Sequence, residues 1–172
     1  MSDNIILVGF MGTGKTVVGR RLAAKLDKKF VDTDMEIERV TGMPVARLIK
    51  KHGEIRFRSE ETLALKRISK LDNIVVATGG GIVLNKENVD LLKNMGKIIC
   101  LTAAPEIIKE RIERRNNRPL LGKDTSIEKI KELLSQSEEF YKEADFVVDT
   151  TDLQIDDVIN KIFEFLQNAD LK

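Results

Sequence analysis

An α/β fold carrying one parallel sheet is what this sequence predicts, and three observations carry the prediction. Short, continuously apolar runs alternate with longer amphipathic ones, as strands covered on both faces alternate with the helices that cover them. The glycine-rich stretch GFMGTGKT, residues 9–16, follows the first apolar run and opens the first amphipathic one. That strand–loop–helix order is typical of parallel sheets. At 172 residues, 42% hydrophobic and 33% charged, the chain has the composition of one globular domain with its own core.

The first strand is expected over 5–8 (IILV), with helical periodicity over 15–26. A second strand at 30–32 (FVD) and a third at 74–77 (IVVA) enclose three helical stretches, 35–40, 45–51 and 55–69. A simple crossover needs far less chain, so 33–69 is read as an insertion facing a substrate. A helix over 86–94 leads to the fourth strand, 98–101 (IICL), and another helix follows at 105–114. Pro105 suits its first turn, where no backbone donor is required. RRNNRPLLGKDTS, residues 114–126, is polar and basic with a proline and a glycine, and is read as a flexible lid. One long helix over 127–144, a fifth strand at 146–148 and a last helix at 155–167 complete the chain. No internal repeat or low-complexity linker interrupts it.

Composition narrows the function. Twenty-nine basic against 28 acidic residues leave a net charge of +1, so no global field points to nucleic acid or to a membrane. Cys100 is the single cysteine and His52 the single histidine. Cys100 lies in the apolar run KIICLTA and is expected to be a buried, inert thiol. His52, in KKHGE, is read as a surface residue. The N-terminal run NIILVGF has no preceding basic region and is read as a strand, not a signal peptide. No apolar run approaches the length of a membrane span. A cytoplasmic monomer is expected.

GFMGTGKT matches G-x-x-x-x-G-K-[ST] in the strand-to-helix context that the motif requires. Gly9, Gly12 and Gly14 let backbone N–H groups turn inward around phosphates, at a helix N-terminus that favours anions. Lys15 would reach the β- and γ-phosphates, and the Thr16 hydroxyl would ligate Mg²⁺. The nucleotide-contacting set is thus Gly12, Thr13, Gly14, Lys15, Thr16 and Val17. A guanine-reading N-K-x-D is absent, since NKEN at 85–88 lacks the final aspartate.

Asp32 and Asp34, in FVDTD, close the second strand, where open α/β sheets bind ligands. Two apart on extended backbone, they would point the same way. Asp32 is the candidate for the metal side; Asp34 is the candidate base or orienting group for an acceptor hydroxyl, or else a helix N-cap. Arg58, in EIRFRSEE, has the planar fork that suits an acceptor carboxylate. VVATGGG ends the third strand in Gly79, Gly80 and Gly81, read as bare backbone against which a small polyhydroxy ring can lie. In the lid, Arg118 would neutralise charge on a transferred phosphoryl group. Arg111 would lie against adenine.

Together GFMGTGKT, FVDTD, GEIRFRSEE, ATGGGIV and NRPLL resemble the shikimate kinase family, in order and at matching spacing over almost the whole chain. The resemblance implies a P-loop, nucleoside-monophosphate-kinase-like three-layer sandwich with a five-stranded parallel sheet of order 2-3-1-4-5. It implies transfer of the γ-phosphoryl of ATP, with Mg²⁺, to the 3-hydroxyl of shikimate in aromatic amino acid biosynthesis. Position by position it matches Lys15 and Thr16 to the phosphate and metal contacts and Asp32 to the metal side. Asp34, Arg58, Gly79, Gly80 and Gly81 match the shikimate contacts, and Arg118 the lid arginine. One position departs: four residues before Tyr141, where the family pattern has a carboxylate-binding arginine, stands Ser137. Three readings follow: Arg58 carries the carboxylate alone, a lysine such as Lys142 substitutes, or the acceptor is another small polyol acid such as gluconate. A nucleotide-binding regulatory protein without turnover is the alternative from outside enzymology.

Overall fold

The computed structural model describes residues 3–115 and 124–170. Five strands, β1 (Asn4–Val8), β2 (Lys29–Asp32), β3 (Ile74–Ala77), β4 (Gly96–Thr102) and β5 (Phe146–Asp149), form one all-parallel sheet in the order β2-β3-β1-β4-β5. Each lies where an apolar run predicts it, within two residues at either end. The helices are α1 (Lys15–Lys25), α2 (Thr33–Thr41), α3 (Val45–His52), α4 (Glu54–Ile68), α5 (Lys86–Met95), α6 (Pro105–Arg115), α7 (Ile127–Ser135), α8 (Glu138–Lys142) and α9 (Ile155–Asp170).

The pleat of β1 explains the three layers. Ile6 and Val8 face a cluster with Leu65 and Ile68 of α4 and Leu92 of α5, whereas Ile5 and Leu7 face Val18 and Leu22 of α1 and Ile159 and Ile162 of α9. Every β1 residue is buried, as a central parallel strand requires. Cys100 is in the first of these clusters, and burial pushes its thiol up to about 12, which leaves it inert. His52 is exposed in the last turn of α3.

The three helices between β2 and β3 carry their own small core, Ile37, Leu48, Phe57 and Ala64. That core fixes the α4 residues Phe57 and Ala64 against α2 and α3, while Leu65 and Ile68 further along α4 pack on the sheet. At the other side of the sheet Phe10 packs with Ile108, Ile112 and Ile130, tying the loop after β1 to α6 and α7.

The helix expected over 127–144 is two. Ile130 of α7 is buried against Phe10 and α6, while Phe140 and Tyr141 of α8 are buried in the sheet cluster. A single straight axis cannot serve both, and the chain turns at 136–137, where the Ser137 N–H donates to the Leu134 carbonyl at 3.1 Å. A short 3-10 turn, Ile82–Leu84, also follows the third glycine and has no periodic signal in the sequence.

Candidate active site

Because the sheet is parallel, β1, β2 and β3 all end on one edge, and the loops that leave them converge there. The loop after β1 wraps into the N-terminus of α1. Gly12 and Gly14 adopt φ of +80° and +96°, values that side chains resist. Gly14 is the N-cap residue and has no side chain to cap with, so the first-turn amides remain directed at the loop's interior. The Thr13 hydroxyl donates to the Phe10 carbonyl at 2.8 Å, bracing the turn from inside. Lys15 is buried, and its Nζ donates to the carbonyls of Gly9 at 2.7 Å and Phe10 at 2.9 Å. Val17 lies half-buried one turn into α1.

Thr16 and Asp32 meet: the hydroxyl donates to Asp32 Oδ2 at 3.0 Å. The other carboxylate oxygen, Oδ1, accepts from the N–H groups of Asp34 and Met35 at 2.9 and 3.2 Å. Asp32 is therefore the N-cap of α2, so the N-cap reading of Asp34 is corrected. The extended-strand argument for the two aspartates is corrected too, since helix begins at Thr33 and Asp34 sits in its first turn. The donor set of one hydroxyl and one carboxylate fits Mg²⁺, which keeps waters and phosphate oxygens for most of its shell.

Each glycine of ATGGG is crowded where a Cβ would stand. At Gly79 it would lie 2.8 Å from Glu61 Oε1 and 3.1 Å from Asp34 Oδ1. At Gly80 it would lie 3.0 Å from the Met11 amide nitrogen, so here the two glycine loops touch. At Gly81 it would lie 2.6 Å from both terminal nitrogens of Arg58. The idea of three bare amides needs correction at Gly79, whose N–H donates to the Thr33 hydroxyl at 2.9 Å. The loop is further pinned by the Tyr141 hydroxyl, 3.3 Å from the Gly80 carbonyl, and by Asn88, which donates to the Ile82 carbonyl at 3.0 Å. Asn88 is itself buried and accepts from Thr62 of α4 at 2.8 Å.

Arg58 projects from α4 between two carboxylates, at 2.7 Å from Glu61 and 3.3 Å from Glu54. Glu61, a residue that sequence reasoning missed, is 1% exposed. Burial pushes its carboxyl up to about 7, opposed by Arg58 and reinforced by the neighbouring charges of Asp34 and Glu54. Its signal in the sequence was only the i,i+3 spacing from Arg58. Asn88 and Thr33 had no signal there, and Tyr141 stood there only as the landmark from which Ser137 is counted.

Ser137 is buried, and its carbonyl accepts from the N–H of Tyr141, whose hydroxyl lies beside Gly80. Lys142, the suggested substitute cation, is exposed and paired with Glu138 at 2.9 Å; that reading is corrected. Arg111 reaches from α6 to the phosphate loop, donating to the Gly12 carbonyl at 3.2 Å and to the Thr150 hydroxyl and carbonyl at 3.0 Å each. Its guanidinium is thus held in one orientation at the rim. Arg118 lies outside the described residues.

A phosphate loop after the central strand, a second glycine loop after the neighbouring strand lying against it, and a carboxylate and guanidinium cluster from α2 and α4 beside that second loop are the arrangement of a P-loop phosphotransferase that acts on a small acceptor. The comparisons with known proteins sharpen this class. The model of the shikimate kinase family matches residues 11–167. A shikimate kinase of Pelotomaculum thermopropionicum is 51% identical over 164 residues, covering 95% of each chain. That of Desulforudis audaxviator is 48% identical over 95% of this chain and 86% of its own. A solved shikimate kinase from Acinetobacter baumannii, in complex with shikimate, superposes with a TM-score of 0.94 at 37% identity, covering 100% of this chain and 97% of its own. The chain belongs to the shikimate kinase family.

Proposed function

We infer that this protein is a shikimate kinase, transferring the γ-phosphoryl group of ATP to the 3-hydroxyl of shikimate. The observation that supports the reading is the close approach of the two glycine loops, where a Cβ on Gly80 would lie 3.0 Å from the Met11 amide nitrogen; an acceptor held at the second loop would then lie beside a triphosphate held at the first. The amides of Gly12 to Thr16 and the Lys15 ammonium would hold the triphosphate, with Val17 and the fixed Arg111 guanidinium toward the nucleoside. Thr16 and Asp32 would hold Mg²⁺, which when bound neutralises charge on the β- and γ-phosphates. Arg58 takes the acceptor carboxylate, and the backbone at Gly79, Gly80 and Gly81 bears the ring.

Asp34 orients the 3-hydroxyl and accepts its proton as the oxygen–phosphorus bond forms. The bond to the β-phosphate oxygen breaks and ADP leaves with that electron pair. Lys15, within reach of the transferred group, offsets its charge. The test is ADP release on adding shikimate, with gluconate and other polyol acids as comparison acceptors. Absence of turnover at millimolar shikimate would overturn the proposal. Among the described residues no helix is long and apolar enough to cross a membrane.

A further inference from the structure

Thr150 is a buried polar residue that the phosphoryl-transfer chemistry leaves without a task, 3% exposed in the turn that leaves β5. Its N–H and its hydroxyl both donate to the carbonyl of Thr102, the last residue of β4, at 2.8 and 2.9 Å. The hydroxyl therefore adds little to an end of the sheet that the backbone already ties. What it adds is an acceptor. With its one hydrogen committed to Thr102, its lone pairs are left for Arg111, whose Nη1 donates to it at 3.0 Å. Arg111 Nη2 donates to the Thr150 carbonyl, also at 3.0 Å. The next residue anchors the base of the same helix: the Thr151 hydroxyl accepts from the N–H of Ala104, just ahead of α6, at 2.9 Å.

Arg111 Nη1 also donates to the Gly12 carbonyl, at 3.2 Å. Gly12 lies close against α6, since a Cβ there would stand 3.5 Å from the Ile108 carbonyl and from Ile112 Cγ1. A trans peptide sets a carbonyl and the following N–H in opposite directions. Holding the Gly12 carbonyl toward α6 therefore turns the Thr13 N–H the other way, into the hollow of the loop where the phosphates would lie. We propose that Thr150 is a positioning residue for the phosphate site: through Arg111 it holds the Gly12–Thr13 peptide so that its N–H faces a bound phosphate. Only the edge of the guanidinium is spent in this way, and its face stays free for a nucleoside. The proposal rests on the assignment of the triphosphate to the loop of residues 9–16 and is indifferent to the acceptor.

The test is Thr150→Val, which keeps the branched shape and removes the hydroxyl. It leaves neither neighbour unpaired, since Thr102 keeps the Thr150 N–H and Arg111 keeps the carbonyls of Gly12 and Thr150, so the fold should hold. Calorimetric titration with ADP and with inorganic tripolyphosphate, which has no base, should show both Kd values raised by about three- to tenfold. ATP KM should rise by the same factor while shikimate KM stays within about twofold. Thr150→Ser, which keeps the hydroxyl, should bind both ligands like the wild type. In an Arg111→Met background Thr150→Val should add nothing. If Thr150→Val does not fold, Thr150→Ala set against Thr150→Ser makes the same comparison. Unchanged affinities in the folded variant overturn the proposal, as do an equal loss in Thr150→Ser, full additivity with Arg111→Met, or a loss for ADP without one for tripolyphosphate. Lys15→Ala separates the two layers. If the wild type does not bind tripolyphosphate, or Lys15→Ala binds it as tightly as the wild type, the phosphate assignment fails and the brace with it. If Lys15→Ala loses tripolyphosphate and Thr150→Val keeps it, the brace alone is wrong.

Discussion

Gly81→Ala is the substitution that most directly tests how the second glycine loop works. An added Cβ would stand 2.6 Å from both terminal nitrogens of Arg58 and 2.9 Å from its central carbon, and ordinary contact begins at 3.4 Å. The guanidinium must therefore withdraw by about 0.8 Å or swing aside. Backbone strain is not at issue, because Gly81 has φ of −105°, which alanine adopts freely. The displaced atoms are the far end of a flexible side chain, so the fold should survive with little loss of melting temperature. What is lost is the geometry of a charge-assisted contact, worth about 1.5–3 kcal/mol, or about ten- to a hundredfold in acceptor affinity. The assay is coupled ADP release, with shikimate varied at saturating ATP and then the reverse. Shikimate KM should rise by that factor while ATP KM stays within about twofold. The two substitutions Gly81→Ala and Arg58→Met should not add, since both remove one interaction. A folded Gly81→Ala protein with unchanged shikimate KM would refute the account of both Gly81 and Arg58.

Lys15→Ala should abolish measurable transfer while the melting transition persists; retained turnover would refute the phosphate-site assignment. Asn88→Ala breaks the buried link from Thr62 of α4 to the Ile82 carbonyl. It should cost about 1–3 kcal/mol in denaturant unfolding and raise shikimate KM several-fold more than ATP KM. Ser137→Arg places a second guanidinium beside Gly80 and should lower shikimate KM about tenfold; no change would show that the position does not reach the carboxylate. Glu61 holds its proton up to about 7 in the folded protein against an ordinary 4.5, so the folded state binds that proton more tightly than the unfolded chain does. The stability tied to it is complete below about pH 4.5 and lost as pH rises to about 7, on the order of 3 kcal/mol. Denaturant unfolding across that range should show the decline in the wild type and a weaker one in Glu61→Gln.

The chain's apolar runs locate all five strands, because a strand buried on both faces has only one kind of sequence. The phosphate cradle is legible for a related reason. Its chemistry is backbone conformation and three side chains within eight consecutive residues, Gly9 to Thr16, and local sequence determines local conformation. The acceptor end is legible only as parts. FVDTD, EIRFRSEE and ATGGG announce themselves in the sequence, but what each is for depends on contacts across long stretches of chain. Gly79 meets Thr33 46 residues away, Gly80 meets Tyr141 61 residues away and Thr62 meets Asn88 26 residues away. Nothing in the spacing marks Glu61 as buried, or distinguishes Asp32 from Asp34 as the N-cap. The break at 136–137 is equally hidden, since α7 and α8 each follow a helical period and only their different packing partners separate them. Composition and local pattern determine which elements form and where phosphates bind. Tertiary packing decides which side chains share a dielectric: it buries Glu61 against Arg58 and leaves Lys142 at the surface with Glu138.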